Sequence, residues 1–195
     1  RPAPAQEMTS ILIVGSGTMG EGIAQTFAQN GFAVRLVDCS EDQLNRALQQ
    51  IPQNLKQFIE FGRIDESVEQ VMARIEGMVT TDMARAIEGC DYMVETIREN
   101  LDDKRALIAS VQAVAPDLVI GSNTGSMTVD SLAEGMPKPE NIIGIHYFNP
   151  AHIIPLVEVH RGAQTSDAAY ELTLRLLQES GKKTALVRKE LPGFI

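Results

Sequence analysis

Tryptophan is absent from this 195-residue chain, cysteine occurs twice and histidine three times. The two cysteines, Cys39 and Cys90, lie far apart and in no metal-ligand spacing. Neither a disulfide framework nor a zinc site is expected, and the chain reads as a reduced, cytoplasmic protein. Long apolar runs are missing too: none approaches the ~20 residues of a membrane-spanning helix, and no basic-then-apolar signal pattern opens the chain. Membrane partners are therefore not expected. Positive charge is scarce, with 17 Lys and Arg against 26 Asp and Glu and a formal net charge of −9. Nucleic acids and anionic membranes demand a basic face, so both drop out as partners, and any bound anion must be held by local geometry.

What remains is an ordinary globular composition, 44% hydrophobic, long enough for one large domain with a proper core. Residues 1–8 read as a linker or remnant, and residues 9–195 as the domain. Short apolar runs alternate with segments of helical spacing. Ile11 to Val14, Ala33 to Val37, Met78 to Thr80, Tyr92 to Glu95, Leu118 to Gly121, Ile142 to Ile145, Leu156 to Val159 and Ala185 to Arg188 read as strands. Helices are expected from Gly22 to Gln29, Glu41 to Phe61, Asp65 to Ile75, Met83 to Glu88, Leu101 to Val114, Thr128 to Ala133 and Asp167 to Ser180. Pro52 should kink or interrupt the second of these. This alternation predicts an α/β, Rossmann-type, doubly wound fold with a mainly parallel sheet and ligands beyond the carboxyl ends of its strands.

The motifs fall at such ends. Between the first strand and helix stands Gly15-Ser16-Gly17-Thr18-Met19-Gly20. In such a turn the first glycine permits the bend, the second lets a pyrophosphate approach the backbone, and the third lets helix and strand pack closely. The N-terminus of the following helix then faces the phosphates, and Thr18 and Met19 count with the glycines among the cofactor-binding residues. Asp38 ends the next strand, where a carboxylate bonds an adenosine ribose. It favours NAD over NADP, whose 2′-phosphate it would repel. Further on, His146 comes at the end of the run Ile142 to Ile145, and Glu158 lies inside another, Ile153 to Val159. A carboxylate in apolar surroundings needs a partner, and His146 is the candidate. Together they make a titratable base with a carboxylate to orient it and stabilise its charged form.

At this point the residues resemble the N-terminal, NAD-binding domain of the 3-hydroxyacyl-CoA dehydrogenase family, 3-hydroxybutyryl-CoA dehydrogenases among them, over essentially everything from Ile11 onward. The resemblance rests on the glycine turn, Asp38, Val94-Glu95-Thr96-Ile97-Arg98-Glu99-Asn100 with Lys104, Ser122-Asn123-Thr124, His146-Tyr147-Phe148-Asn149-Pro150, Leu156-Val157-Glu158-Val159 and Pro192-Gly193-Phe194-Ile195. It implies that Glu99 and Lys104 lie along the NAD site, that Asn123 and Asn149 lie near nicotinamide and substrate, and that His146 with Glu158 forms the catalytic pair. By themselves Glu99 and Lys104 read equally as a solvated helix start, and Asn123 and Asn149 as turn formers. The activity implied is reversible NAD-dependent oxidation of an L-3-hydroxyacyl thioester, in fatty acid metabolism.

Two departures qualify the resemblance. Where the family's loop usually carries a serine whose hydroxyl touches the reacting oxygen, this chain has Gly125, so Ser122, Ser126 or a water would have to substitute, or the substrate differs. The helical C-terminal domain that closes the cleft in the family, and that supplies most of its homodimer interface, is absent from this chain. A dehydrogenase of a free hydroxy acid, such as a sugar acid or carnitine, and a non-catalytic NAD-binding relative stay open as alternatives.

Overall fold

A computed structural model describes residues 9–187; the Pro192 to Ile195 motif and residues 1–8 lie outside them. Eight strands form one sheet in the order β3-β2-β1-β4-β5-β6-β7-β8. They are β1 (Ser10–Val14), β2 (Ala33–Asp38), β3 (Ile75–Val79), β4 (Tyr92–Glu95), β5 (Ile120–Ser122), β6 (Ile142–Tyr147), β7 (Leu156–His160) and β8 (Lys183–Val187). The first six are mutually parallel, and the central β1, β4 and β5 are buried on both faces, as helix-covered parallel strands are. β7 then runs antiparallel to β6, and β8 follows β7 in parallel.

The helices are α1 (Thr18–Gln29), α2 (Glu41–Glu60), α3 (Val68–Met72), α4 (Met83–Ile87), α5 (Leu101–Val114), α6 (Val129–Ala133) and α7 (Asp167–Glu179). They divide the core into two layers. α1, α2 and α7 bury Ile23, Phe27, Leu44, Ile51, Leu55 and Leu176 on one face of the sheet. α4, α5 and α6 bury Met83, Ile108, Val111 and Leu132 on the other. Starts are set locally: Ser40, Asn100 and Ser166 each accept a backbone N–H three residues on, and Ser67 with Gln70 makes a reciprocal capping box.

Two expected elements differ. α2 continues unbroken through Pro52. A proline inside a helix costs about 3 kcal/mol, yet α2 buries Leu44, Ala47, Ile51, Leu55 and Phe58 on both sides of it, and large apolar side chains contribute ~1.5–3 kcal/mol each. The expected helix from Asp65 to Ile75 shrinks to α3, because Ile75 pairs with Val34 and starts β3. The helical spacing of Val68, Val71, Met72 and Ile75 was real but was cut short by the unfilled hydrogen-bonding edge of β2. Most other boundaries moved by one or two residues, as helix and strand ends commonly do.

Candidate functional site

The glycine turn sits where β1 ends and α1 begins, at the carboxyl edge of the parallel sheet. Gly15 has φ +106°, and a Cβ there would also lie 2.7 Å from the Thr96 carbonyl oxygen. At Gly20 a Cβ would fall 1.8 Å from the Gly15 carbonyl oxygen, so helix and turn close on each other only with glycine. At Gly17 the situation reverses: a Cβ would meet nothing within 4 Å. Gly17 is also the N-cap of α1 without any side-chain cap, so the first backbone N–H groups of a twelve-residue helix stay open to an incoming anion.

Beside the turn, Asp38 is held by three donors. The Ser16 N–H (2.9 Å) and hydroxyl (2.7 Å) donate to Oδ2, and the Ser40 N–H donates to Oδ1 at 2.8 Å. Burial alone would raise this carboxyl, but the bonds from Ser40 and Ser16 together outweigh burial and hold it below the ordinary aspartate value. A cleft of about 820 Å³ opens here, walled by Gly15, Gly17, Asp38, Thr80, Ile97 and Arg98 among others. Such a volume and lining suit a nucleotide-sized ligand.

Past the cleft, a chain of contacts leads to His146. Glu99 accepts from the Thr124 hydroxyl at 2.7 Å and from the Gly125 N–H at 3.4 Å, and so holds the loop after β5. A Cβ on Gly125 would stand 3.0 Å from His146 Nε2, which places that ring nitrogen directly against the one position where the loop has no side chain. Asn123 is anchored twice, its N–H donating to the Glu95 carbonyl (2.8 Å) and its Oδ1 accepting from the Tyr147 N–H (3.0 Å). Its side-chain amide keeps both N–H donors to offer a ligand.

His146 and Glu158 are register partners across the antiparallel β6–β7 pair. His146 Nδ1 lies 3.6 Å from Glu158 Oε2, and His160 Nε2 lies 3.2 Å from the same oxygen. An ionised carboxylate only accepts, so a neutral His146 ring that bonds Glu158 through Nδ1 carries its proton there and its lone pair on Nε2. Tautomer thus follows from the partner. His160 was not foreseen, although a signal existed: it stands two residues after Glu158, and in a strand that spacing returns to the same face. Gly144, the register partner of His160, leaves it room, since a Cβ there would come within 2.9 Å of His160 Cβ.

Residues 10–191 match the family model described as the NAD-binding domain of 3-hydroxyacyl-CoA dehydrogenase. The chain belongs to this family. It is 37% identical over 184 residues to the probable 3-hydroxybutyryl-CoA dehydrogenase of Deinococcus radiodurans, which covers 94% of this chain and 65% of that one. It is 34% identical over 193 residues to the fatty acid oxidation complex subunit alpha of Acinetobacter baylyi, covering 98% of this chain and 26% of the relative. The solved (S)-3-hydroxybutyryl-CoA dehydrogenase of Ralstonia eutropha superposes with a TM-score of 0.88 at 31% identity, over 97% of this chain and 66% of that one. The chain therefore spans from about a quarter to two thirds of the length of these relatives.

Lys104 and Ser122 stand elsewhere than the sequence implied. Lys104 does not line the cleft beside the glycine turn. It is completely buried and bonds both oxygens of the equally buried Glu95, at 2.9 and 2.7 Å, with Glu99 only at 3.9 Å. The reason is electrostatic: burial pushes the Glu95 carboxyl upward, and Lys104, Ser122 and the Ile97 N–H oppose that. Ser122 is likewise no substitute for the family's missing serine, being wholly buried with its hydroxyl 2.5 Å from Glu95 Oε1. Glu99 is exposed just before α5, whereas Thr18 and Met19, in the first turn of α1, line the cleft beside the glycine turn. Asn149 lies on an exposed turn before Pro150, without a side-chain hydrogen bond among the described residues. Glu95, overlooked in the sequence, is the charge that organises β4, β5 and the start of α5. No helix among the described residues is long and apolar enough to cross a membrane.

Proposed function

We propose that this domain binds NAD with its pyrophosphate on the α1 N-terminus and its adenosine ribose on Asp38, and that His146 serves as the general base in oxidising the 3-hydroxyl of an L-3-hydroxyacyl thioester. Bound NAD supplies the hydride acceptor. The remaining work falls to side chains. His146 Nε2, lone pair outward beside Gly125, takes the hydroxyl proton, and Glu158 holds the ring by Nδ1 and offsets the imidazolium charge that results. The 3.6 Å spacing is long for a hydrogen bond, and such contacts tighten when the ring becomes charged. In the reverse direction the same imidazolium returns the proton. Asn123 offers N–H donors near the reacting groups, and Glu99 keeps the Thr124–Gly125 loop in place.

The observation that carries this reading is the cross-strand pairing of His146 with Glu158, which leaves Nε2 facing a cleared position. Names of the relatives favour a short 3-hydroxyacyl-CoA as substrate, and a homodimer belongs to the same reading. A free hydroxy acid as substrate is the second reading, favoured by the absence of a serine hydroxyl at Gly125.

The test uses the intact protein with 3-hydroxybutyryl-CoA and NAD. His146→Gln should abolish turnover and leave NADH affinity, read by fluorescence, nearly unchanged. Loss of both together, or of neither, overturns the assignment. Turnover of free hydroxy acids alone transfers it to the second reading.

A further inference from the structure

His146, Glu158 and His160 bring their donor atoms within 4.8 Å of one another, all three half-buried, and no other such set exists among the described residues. Cysteine spacing gave no reason to expect a metal, because this set is assembled across two strands. The distances point to one. Donor atoms around a tetrahedral zinc with bonds of about 2.0–2.1 Å stand roughly 3.3 Å apart. The two imidazole-to-carboxylate separations, 3.6 and 3.2 Å, are already close to that edge. Only the third, between the two rings and no more than 4.8 Å, has to close. Two imidazoles and one carboxylate suit zinc, cobalt and their neighbours, whereas magnesium and calcium require oxygen donors. Side-chain exposures of 20%, 13% and 20% leave a path for an ion and room for a water as fourth ligand.

We propose that His146, Glu158 and His160 form a binding site for a zinc-class divalent cation, and that filling it switches the dehydrogenase off. The second half rests on the function proposed above; the first does not. The chemistry balances without loss of a proton. A metal on His146 Nδ1 needs the lone pair there, so the ring keeps one proton but carries it on Nε2. A metal on His160 Nε2 likewise places that ring's proton on Nδ1. With Nε2 protonated, His146 has no lone pair for the substrate hydroxyl, and Glu158 is taken up by the cation. The inhibition is thus a change of tautomer at the base rather than a blocked entrance. NAD binding, which relies on the α1 N-terminus and Asp38, is untouched.

The experiment titrates the intact protein with Zn2+ in chelator-buffered solution, and separately with Co2+, whose visible absorption reports tetrahedral nitrogen and oxygen ligation without any turnover. Wild type should develop the Co2+ band, lose turnover as Zn2+ fills the site, and recover it with a chelator, with NADH affinity constant throughout. His160→Gln should lose the band and raise the half-inhibiting Zn2+ concentration at least about tenfold relative to its own metal-free rate. NADH affinity also serves as the folding control for the variant. Absence of the band in wild type, or an equal band and equal Zn2+ sensitivity in His160→Gln, overturns the site. A band that forms while turnover continues overturns the switch. A His160-dependent band in a protein that oxidises no hydroxyacyl thioester leaves the metal site standing and removes the proposed function.

Discussion

Replacing Lys104 by methionine tests the buried centre of the fold most sharply. Neither Lys104 nor Glu95 has any exposed side-chain surface, and the substitution removes contacts of 2.9 and 2.7 Å to the two carboxylate oxygens. Glu95 keeps the Ser122 hydroxyl at 2.5 Å and the Ile97 N–H at 2.8 Å, which is too little for an ion without water. Breaking a buried pair from one side costs about 3–5 kcal/mol. For a chain of this size each kcal/mol lowers Tm by about 2–4 °C, so the drop should be roughly 6–20 °C. The pH dependence has a definite sign. Burial already pushes Glu95 upward, and without its lysine the folded value rises further above the unfolded one. A raised acid favours the folded state below its unfolded pKa and loses that advantage as pH rises through the folded value, so Lys104→Met should melt lower at pH about 8 than at pH about 5. The double variant Glu95→Gln, Lys104→Met removes both charges, lets the amide oxygen accept from the Ile97 N–H while the amide NH2 donates to the Ser122 hydroxyl, and should be more stable than Lys104→Met alone. Urea and thermal unfolding followed by circular dichroism measure all three. A single-variant loss below about 1 kcal/mol, or strictly additive effects, would refute the account.

Gly17→Ala and Gly20→Ala should separate binding from folding: the first leaves the melting temperature within a few degrees but weakens NADH binding, while the second, whose Cβ would fall 1.8 Å from the Gly15 carbonyl oxygen, should destabilise the fold outright. Fluorescence titration beside a melt distinguishes them, and equal behaviour of the two contradicts the placement of the turn. Asp38→Asn should weaken NADH by about 2 kcal/mol, roughly thirtyfold, through lost charge-assisted bonds. Its stability deficit should also shrink on acidification, because a lowered carboxyl contributes above its unfolded value of 3.8 and loses that contribution as pH falls through the folded one. Urea melts at about pH 6 and about pH 3.5 check the sign. Gly125→Ala, with its Cβ 3.0 Å from His146 Nε2, should cut turnover about tenfold or more while sparing NADH affinity, since small displacements of a base are costly. Unchanged kcat would place the reacting hydroxyl elsewhere.

Much of the cofactor region was legible because its signals are short-range. A glycine that needs positive φ, one that must admit a neighbouring carbonyl and one that faces open space all lie within six residues, and Asp38 follows one βαβ unit later. His146 and Glu158 were legible as a pair for a different reason: an ionisable group inside an apolar run has to find a partner. Lys104 was misread because the same rule also applied to Glu95, which sits in the run from Tyr92 to Glu95 and claims the lysine from α5. Pro52 does not interrupt α2 because local propensity yields to the apolar face buried on either side of it.

By itself, then, the sequence determined the alternation of elements, the glycine turn, the acidic strand end at Asp38 and the presence of a histidine and a carboxylate in apolar runs, all properties of neighbours along the chain. The tertiary structure alone decided that β7 runs antiparallel to β6. That single reversal sets His146 opposite Glu158 and Gly144 opposite His160, and so gathers two imidazoles on one carboxylate. Register between strands depends on which hydrogen-bonding edges remain unfilled after the rest of the sheet has formed, and no local pattern records that.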